Sequence, residues 1–273
     1  MRAVSSAAAT VVAVVAVVAA SLGGCRSRSS PVPEARADDT PVAAPASDAV
    51  AVVELFTSEG CSSCPPADDV LGDLARSPAA GRSLFPLAFH VDYWDDLGWP
   101  DRFASPDFTA RQRLYARAFG ARGLYTPQMI VGGTEQFTGS DRDHADAAIA
   151  RELARPAPVH LALRARKSGS GQIAVDWTAS GAPAGEVLNL ALVEASTSTA
   201  VRAGENAGRT LRHANVVRSF LTVPLTQPSG AATLPAPGAP LAGPGAILAY
   251  GQRGAVPGAG MPIDGATSTP LPE

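Results

Sequence analysis

What the 273-residue chain lacks excludes more than its overall composition does. No run of Lys or Arg forms a stripe, and Lys+Arg 22 against Asp+Glu 25 leaves a net charge of -3, so a surface that tracks nucleic-acid phosphates is set aside. There is no glycine-rich phosphate loop, no Ser-His-Asp order and no His-Glu-x-x-His helix, which removes most other enzyme classes and implies no organic cofactor. No internal repeat appears. Cysteine is scarce, with 3 residues, at positions 25, 61 and 64. Against these absences, 46% hydrophobic residues are enough for a real core, in one large domain or two small ones.

The first residues, MRAVSSAAATVVAVVAVVAASLGGC, place Arg2 ahead of an uncharged Ala/Val stretch from Ala7 to Leu22, followed by small residues. That is the pattern of an export signal. The apolar stretch is short for a bilayer-spanning helix, which needs roughly 20 residues. The motif Leu22-Gly23-Gly24-Cys25 resembles the lipobox of bacterial lipoproteins. The resemblance implies a signal peptide over 1–24, acylation of Cys25 and a lipid anchor in the periplasm or cell envelope; an ordinary cleaved signal is the alternative. Either way the domain lies outside the cytosol. If Cys25 carries lipid, Cys61 and Cys64 are the remaining thiols, and they can form and keep a disulfide there.

Residues 25–48, RSRSSPVPEARADDTPVAAPASD after Cys25, are rich in Pro, Ala, Ser and Asp without an apolar period, and read as a flexible tether. AVAVVELF from Ala49 is an apolar, β-rich run of the type buried on both faces of a sheet. SEGCSSCPPADD follows, and then a helix in which Val70, Leu71 and Leu74 recur at helical spacing. SLFPLAFHVDYW predicts a second strand. SPDFTARQRLYARAFG predicts a helix capped by Ser105, with Pro106 at its first position, Phe108, Tyr115 and Phe119 on one face and Gly120 at its end. TPQMIVGG and EQFTG predict a hairpin, and SDRDHADAAIARELARP a helix from a Ser140 cap to Pro156, with Ile149 and Leu153 facing the core. After Pro158 the chain alternates in segments such as VHLALRAR, GQIAVDWTA and EVLNLALVEA, separated by Gly, Pro and Ser, which predicts a small antiparallel β domain over 157–253. Residues 254–273 read as a loosely held Gly/Pro-rich tail.

The Cys-x-x-Cys stretch carries the chemistry. Pro65 and Pro66 lack N–H groups and fit only the opening of a helix, so they place Cys61 and Cys64 at or just before its first turn. The partial positive charge of a helix N-terminus favours thiolate, and a two-residue gap lets the sulfurs close into a ring that can reopen. The neighbouring Glu59 opposes this, because a carboxylate raises a thiol pKa.

Residues 49–155 resemble a thioredoxin-like domain, and VVELFTSEGCSSCPPAD, HVDYWDDLGW, FASPDFTARQ and YTPQMIVGG closely resemble an exported bacterial family of unknown function with that fold. The likeness is weaker in the second half, at GENAGRTLRHANVVR. It implies an α/β thioredoxin-like domain over 49–156 followed by the antiparallel β domain, and thiol–disulfide exchange with protein thiols or disulfides as partners. In that reading Cys61, nearer solvent, attacks or is attacked, Cys64 resolves the mixed disulfide, and Thr126 with a cis Pro127 positions the substrate backbone. The chain departs from thioredoxin in having no Trp before Cys61, Ser62-Ser63 in place of Gly-Pro, and an insertion over 92–125.

Two other readings stay open. Thioredoxin-like copper chaperones use a cysteine pair with a distant histidine, and His90, with Asp92 on the same expected strand face, makes Cys61, Cys64 and His90 a candidate copper site. A non-enzymatic binding domain with a structural disulfide is the other. The segment GENAGRTLRHANVVR also gathers Glu205, Asn206, Arg209, His213, Asn215 and Arg218, either as a polar patch facing the thiols or a partner, or as a solvated loop and strand edge.

Overall fold

In a computed structural model, which describes residues 49–271, every residue of β1 (Ala51–Thr57) and β2 (Leu84–His90) is buried. Buried on both faces, they are central strands of the sheet. They pair in parallel, Ala51 opposite Leu84 through Thr57 opposite His90, and a parallel pair needs a crossover. That crossover is α1 (Pro65–Ala75), which buries Ala67, Val70, Leu71 and Leu74. The expected signal peptide and tether, with Cys25, lie outside the described residues, among which no helix is long and apolar enough to cross a membrane.

After β2 the chain turns through a 3-10 segment, Asp92–Leu97, into α2 (Pro106–Phe119). Ser105 caps α2 by accepting from the Asp107 N–H at 3.2 Å, and Gly120 ends it at φ 68°. β3 (Gln128–Val131) and β4 (Glu135–Thr138) form the expected hairpin, with β3 antiparallel to β1. In α3 (Arg142–Leu153) the cap falls one residue later than expected. The Asp141 carboxylate, rather than Ser140, accepts from the His144 N–H, a charge-assisted bond a hydroxyl does not match.

The later strands are β5 (His160–Lys167), β6 (Ile173–Ser180), β7 (Val187–Ala200), β8 (Thr210–Pro224), β9 (Ser229–Leu234), β10 (Gly245–Gln252) and β11 (Ile263–Pro270). β5, β6 and β9 make a three-stranded antiparallel sheet in the order β5-β6-β9. The other four enter the same sheet as β1 and β2, giving eight strands in the order β11-β10-β7-β8-β2-β1-β3-β4. The change of composition after Pro156 marks where helices give way to strands, and the main sheet runs across it. Residues 263–270, expected in a loose tail, instead pair with β10 from Ala246 opposite Pro270 to Gln252 opposite Ile263. An apolar edge at β10 needs that cover.

β8 joins β2 at a single ladder position, Ala88 opposite Val216. The join is reinforced where Asn215, at φ 49°, donates from Nδ2 to the Pro86 carbonyl at 2.9 Å. Asn tolerates this left-handed conformation better than most residues. Val53 and Leu55 pack with α1 and α3 on one face of the sheet, while Val52 and Phe56 pack with α2, Phe85, Phe89 and Tyr250 on the other. A third cluster lies between the small sheet and Leu188, Leu190, Leu192 and Ile247 of the large one. Among the rings of the second cluster, over Phe89, Tyr115 and Tyr250, buried Arg111 donates to Glu54 Oε1 from Nε at 3.0 Å and Nη2 at 2.7 Å, and from Nη2 to Gln252 Oε1 at 3.1 Å.

Candidate functional site

The loop after β1 folds back on itself, with the Cys61 N–H bonded to the Ser58 carbonyl and the Cys64 N–H to the Cys61 carbonyl, both at 3.2 Å. Cys64 is the N-cap of α1, and Pro65 and Pro66 occupy the positions where missing N–H groups cost nothing, as the sequence requires. The two sulfurs are joined in a disulfide with Cα atoms 5.4 Å apart. Both cysteines are 0% exposed, so the expectation that Cys61 lies nearer solvent does not hold. Only Ser62 and Ser63 between them reach the surface, and the Ser63 hydroxyl lies 3.3 Å from Cys61 Sγ.

Two segments distant in sequence enclose the loop. From the 3-10 segment, Trp94 lies against Gly60, where an added Cβ would meet Trp94 Cβ at 3.2 Å, and just beyond that segment Trp99 Nε1 donates to Glu59 Oε2 at 2.8 Å. From the connection between β7 and β8, Asn206 Nδ2 donates to the carbonyls of Glu59 and Cys61, each at 2.9 Å, and Glu205 accepts from the Ser62 N–H at 3.0 Å. The hydrogen bond from Ser62 holds the Glu205 carboxyl below the usual range. Thus Glu205, Asn206 and His213 of the polar patch reach the cysteine loop. Arg218 instead pairs with Glu194, and Arg209 donates to Asn206 Oδ1 at 2.8 Å, holding it in place.

Behind the loop lies a buried group of five ionisable side chains. His90 Nδ1 is 2.6 Å from Asp101 Oδ2, which also accepts from the Glu59 N–H at 2.9 Å. Burial would raise the Asp101 carboxyl, but His90 and the N–H groups of Glu59 and Phe103 outweigh it and hold Asp101 at about 2. His213 stands between two carboxylates, its Nε2 3.3 Å from Glu59 Oε1 and its Nδ1 3.8 Å from Asp68 Oδ2, and its ring meets that of His90 edge to face at 4.8 Å. Burial opposes ionisation of Glu59 too, yet His213, Thr199 and Trp99 keep it below its ordinary value. Asp68 goes the other way. Burial pushes its carboxyl up to about 7, against the partial relief of His213 and of Thr57, whose hydroxyl donates to Asp68 Oδ1 at 2.9 Å.

Of the residues singled out for positioning, the Thr126–Pro127 peptide is cis. Trp94 Nε1 donates to Thr126 Oγ1 at 2.9 Å, linking it to the segment that lies on Gly60. Pro127 reaches the first turn of α1 through Gly139, where an added Cβ would come within 3.0 Å of Ala67 Cβ and 3.4 Å of Pro127 Cβ. His90 ends β2 as expected, but Asp92 does not share its strand face: it begins the 3-10 segment and accepts from Thr109 at 2.5 Å. No group of three or more His, Cys, Asp and Glu side chains among the described residues is placed to hold a metal ion. Glu59 and Asn206, already singled out in the sequence, are joined here by Asp68, Asp101 and Trp99, which the sequence did not mark as site residues. Asp68 carried one signal, an acid one helical turn after the second cysteine.

No curated protein matches the chain. Among solved structures, protein AGR_C_4864 from Agrobacterium tumefaciens is similar at 28% identity with a TM-score of 0.60, over 81% of this chain and 94% of that one. HBP35 of Porphyromonas gingivalis shares the fold at 13% identity and a TM-score of 0.60, over 83% of this chain and 76% of that one. Residues 52–247, which hold both cysteines, all five buried ionisable groups and the β7–β8 cover, match the model of the protein family of unknown function DUF1223, and the chain belongs to that family.

Proposed function

We propose that this is an exported thiol–disulfide oxidoreductase whose working part, residues 49–156, is a thioredoxin-like unit. The strand order β2-β1-β3-β4, with a helix crossing between parallel β1 and β2 and another after the hairpin, supports that fold. The observation that carries the activity is a closed Cys61–Cys64 disulfide whose second cysteine caps the N-terminus of α1. A thiolate of a protein partner attacks Cys61 Sγ, the S–S bond breaks, and the electron pair leaves on Cys64. There the helix N-terminus stabilises the thiolate. A second partner thiol then displaces Cys61, so the partner is oxidised to a disulfide and the pair takes up two electrons and two protons; the reverse sequence reduces a partner disulfide.

Cys64→Ser traps a mixed disulfide through Cys61, while Cys61→Ser traps none. A reduction potential below about -300 mV, with no trapping, would mark the pair as a structural disulfide and end this reading. Copper is tested on the reduced chain. Tight binding abolished by either cysteine change and by His90→Ala would replace exchange with metal transfer. Export and anchoring through Cys25 rest on the lipobox resemblance, and a fatty-acid analogue should label the wild type and not Cys25→Ser.

A further inference from the structure

The disulfide is closed and buried, and the residues covering it do not belong to its own loop. The connection between β7 and β8 is itself a closed turn: the Val201 N–H bonds to the Arg209 carbonyl and the Gly208 N–H to the Val201 carbonyl, each at 2.9 Å. Its tip holds the cysteine loop by three backbone groups, the carbonyls of Glu59 and Cys61 through Asn206 and the N–H of Ser62 through Glu205. Gly204, at φ 72°, brings the turn against the other cover, where an added Cβ would lie 3.1 Å from Trp99 Cβ. Arg102 fixes one arm of the hairpin by donating to Thr197 Oγ1 at 3.2 Å and to the Ser198 carbonyl at 3.3 Å. Between the arms and α1 lies an open cleft of about 1070 Å³, so the turn at their end, held by the three bonds above, is the part that has to lift off the cysteine loop.

We propose that the β7–β8 turn is a gate that selects an extended polypeptide as the exchange partner and excludes small thiols. The proposal rests on the exchange reading. The groups the turn releases are two carbonyl acceptors and one N–H donor on consecutive parts of one loop. Backbone is what an extended peptide presents: its N–H groups replace Asn206 on Glu59 and Cys61, and its carbonyl replaces Glu205 on Ser62. A peptide thus recovers on binding what opening costs. A small thiol gains nothing from the open form that shifts the equilibrium toward it, so it waits on spontaneous opening. Glu205 and Asn206 thereby determine specificity without touching the sulfurs.

The test uses the oxidised full-length chain and two probes at equal thiolate concentration, 2-mercaptoethanol, which has no peptide group, and an unstructured synthetic peptide bearing one cysteine. Two probe thiols reduce the pair and leave as their disulfide. Loss of the Cys61–Cys64 bond is followed by alkylation and peptide mass. The wild type should react at least about tenfold faster with the peptide, and about tenfold more slowly with 2-mercaptoethanol in native buffer than in denaturant. Asn206→Ala should raise the 2-mercaptoethanol rate about tenfold and erase most of the preference, and Glu205→Ala, at an exposed position, should raise it several-fold. Leu163→Ala, which weakens the small sheet far from the turn, should leave both rates unchanged. Equal wild-type rates for the two probes, unaltered rates in both gate variants, or an equal acceleration by Leu163→Ala would overturn the gate. The reduction potential, measured on the same samples at equilibrium, reports separately on the exchange reading, because a faulty gate changes rates and leaves the potential where it was.

Discussion

Replacing Asp68 by Asn should make the protein more stable at neutral pH and flatten the pH dependence of its stability. Asp68 is 6% exposed, lies one turn after Cys64, and faces His213 on β8, Thr57 on β1, Asp101 and its neighbour Asp69. Burial raises its carboxyl from 3.8 to about 7, so between those values the folded chain holds a proton that the unfolded chain has lost. The sign follows from linkage: this contribution is complete below the unfolded value and is lost as pH rises through the folded one. At about 1.4 kcal/mol per pH unit, the interval from 3.8 to about 7 amounts to roughly 4 kcal/mol. Asn keeps an oxygen to accept from Thr57 and cannot ionise. Urea unfolding from about pH 4 to pH 8 should show the wild type losing several kcal/mol relative to Asp68→Asn, with most of the divergence complete by pH 8. Asp101, held at about 2, contributes with the opposite sign, its stability lost as pH falls toward that value, and it cancels in the difference between the two proteins. Two stability curves that run parallel across this range would refute the argument.

Arg111→Met leaves Glu54 buried without its cationic partner, with only the Tyr250 hydroxyl still donating to it, and should cost about 3–5 kcal/mol. The double variant Glu54→Leu/Arg111→Met should recover most of it, and urea midpoints of the three proteins check both statements. Removing the α2 cap with Ser105→Ala should cost about 1 kcal/mol, read as a shift in thermal midpoint with the disulfide intact. Because the Cys61–Cys64 loop is so short, the double change Cys61→Ala/Cys64→Ala should cost only about 2 kcal/mol by the loop-entropy relation. A loss of more than about 5 kcal/mol would mean that the pair is there to hold the fold, at the top of what a disulfide contributes.

Local chemistry made much of this protein legible in its sequence. Pro65 and Pro66 dictate where α1 begins, because a residue without an N–H fits a helix only in its first turn, and so they place Cys64 at its cap. Ser105 and Gly120 bound α2 for reasons that lie within a few residues of each. The largely apolar run of β1 announces a strand covered on both sides, and that of β2 a second strand. Tertiary structure decided the rest, because partners that meet across long separations leave no local period. Asn206 reaches a carbonyl 147 residues away, and His213 comes between Glu59 and Asp68 only because β8 docks beside β2. The composition change after Pro156 carries no record that β7, β8, β10 and β11 extend the sheet begun by β1, since alternation fixes which face a residue takes and not which edge a strand joins. The burial of both sulfurs, and with it the choice of what reaches them, belongs to that second kind of information.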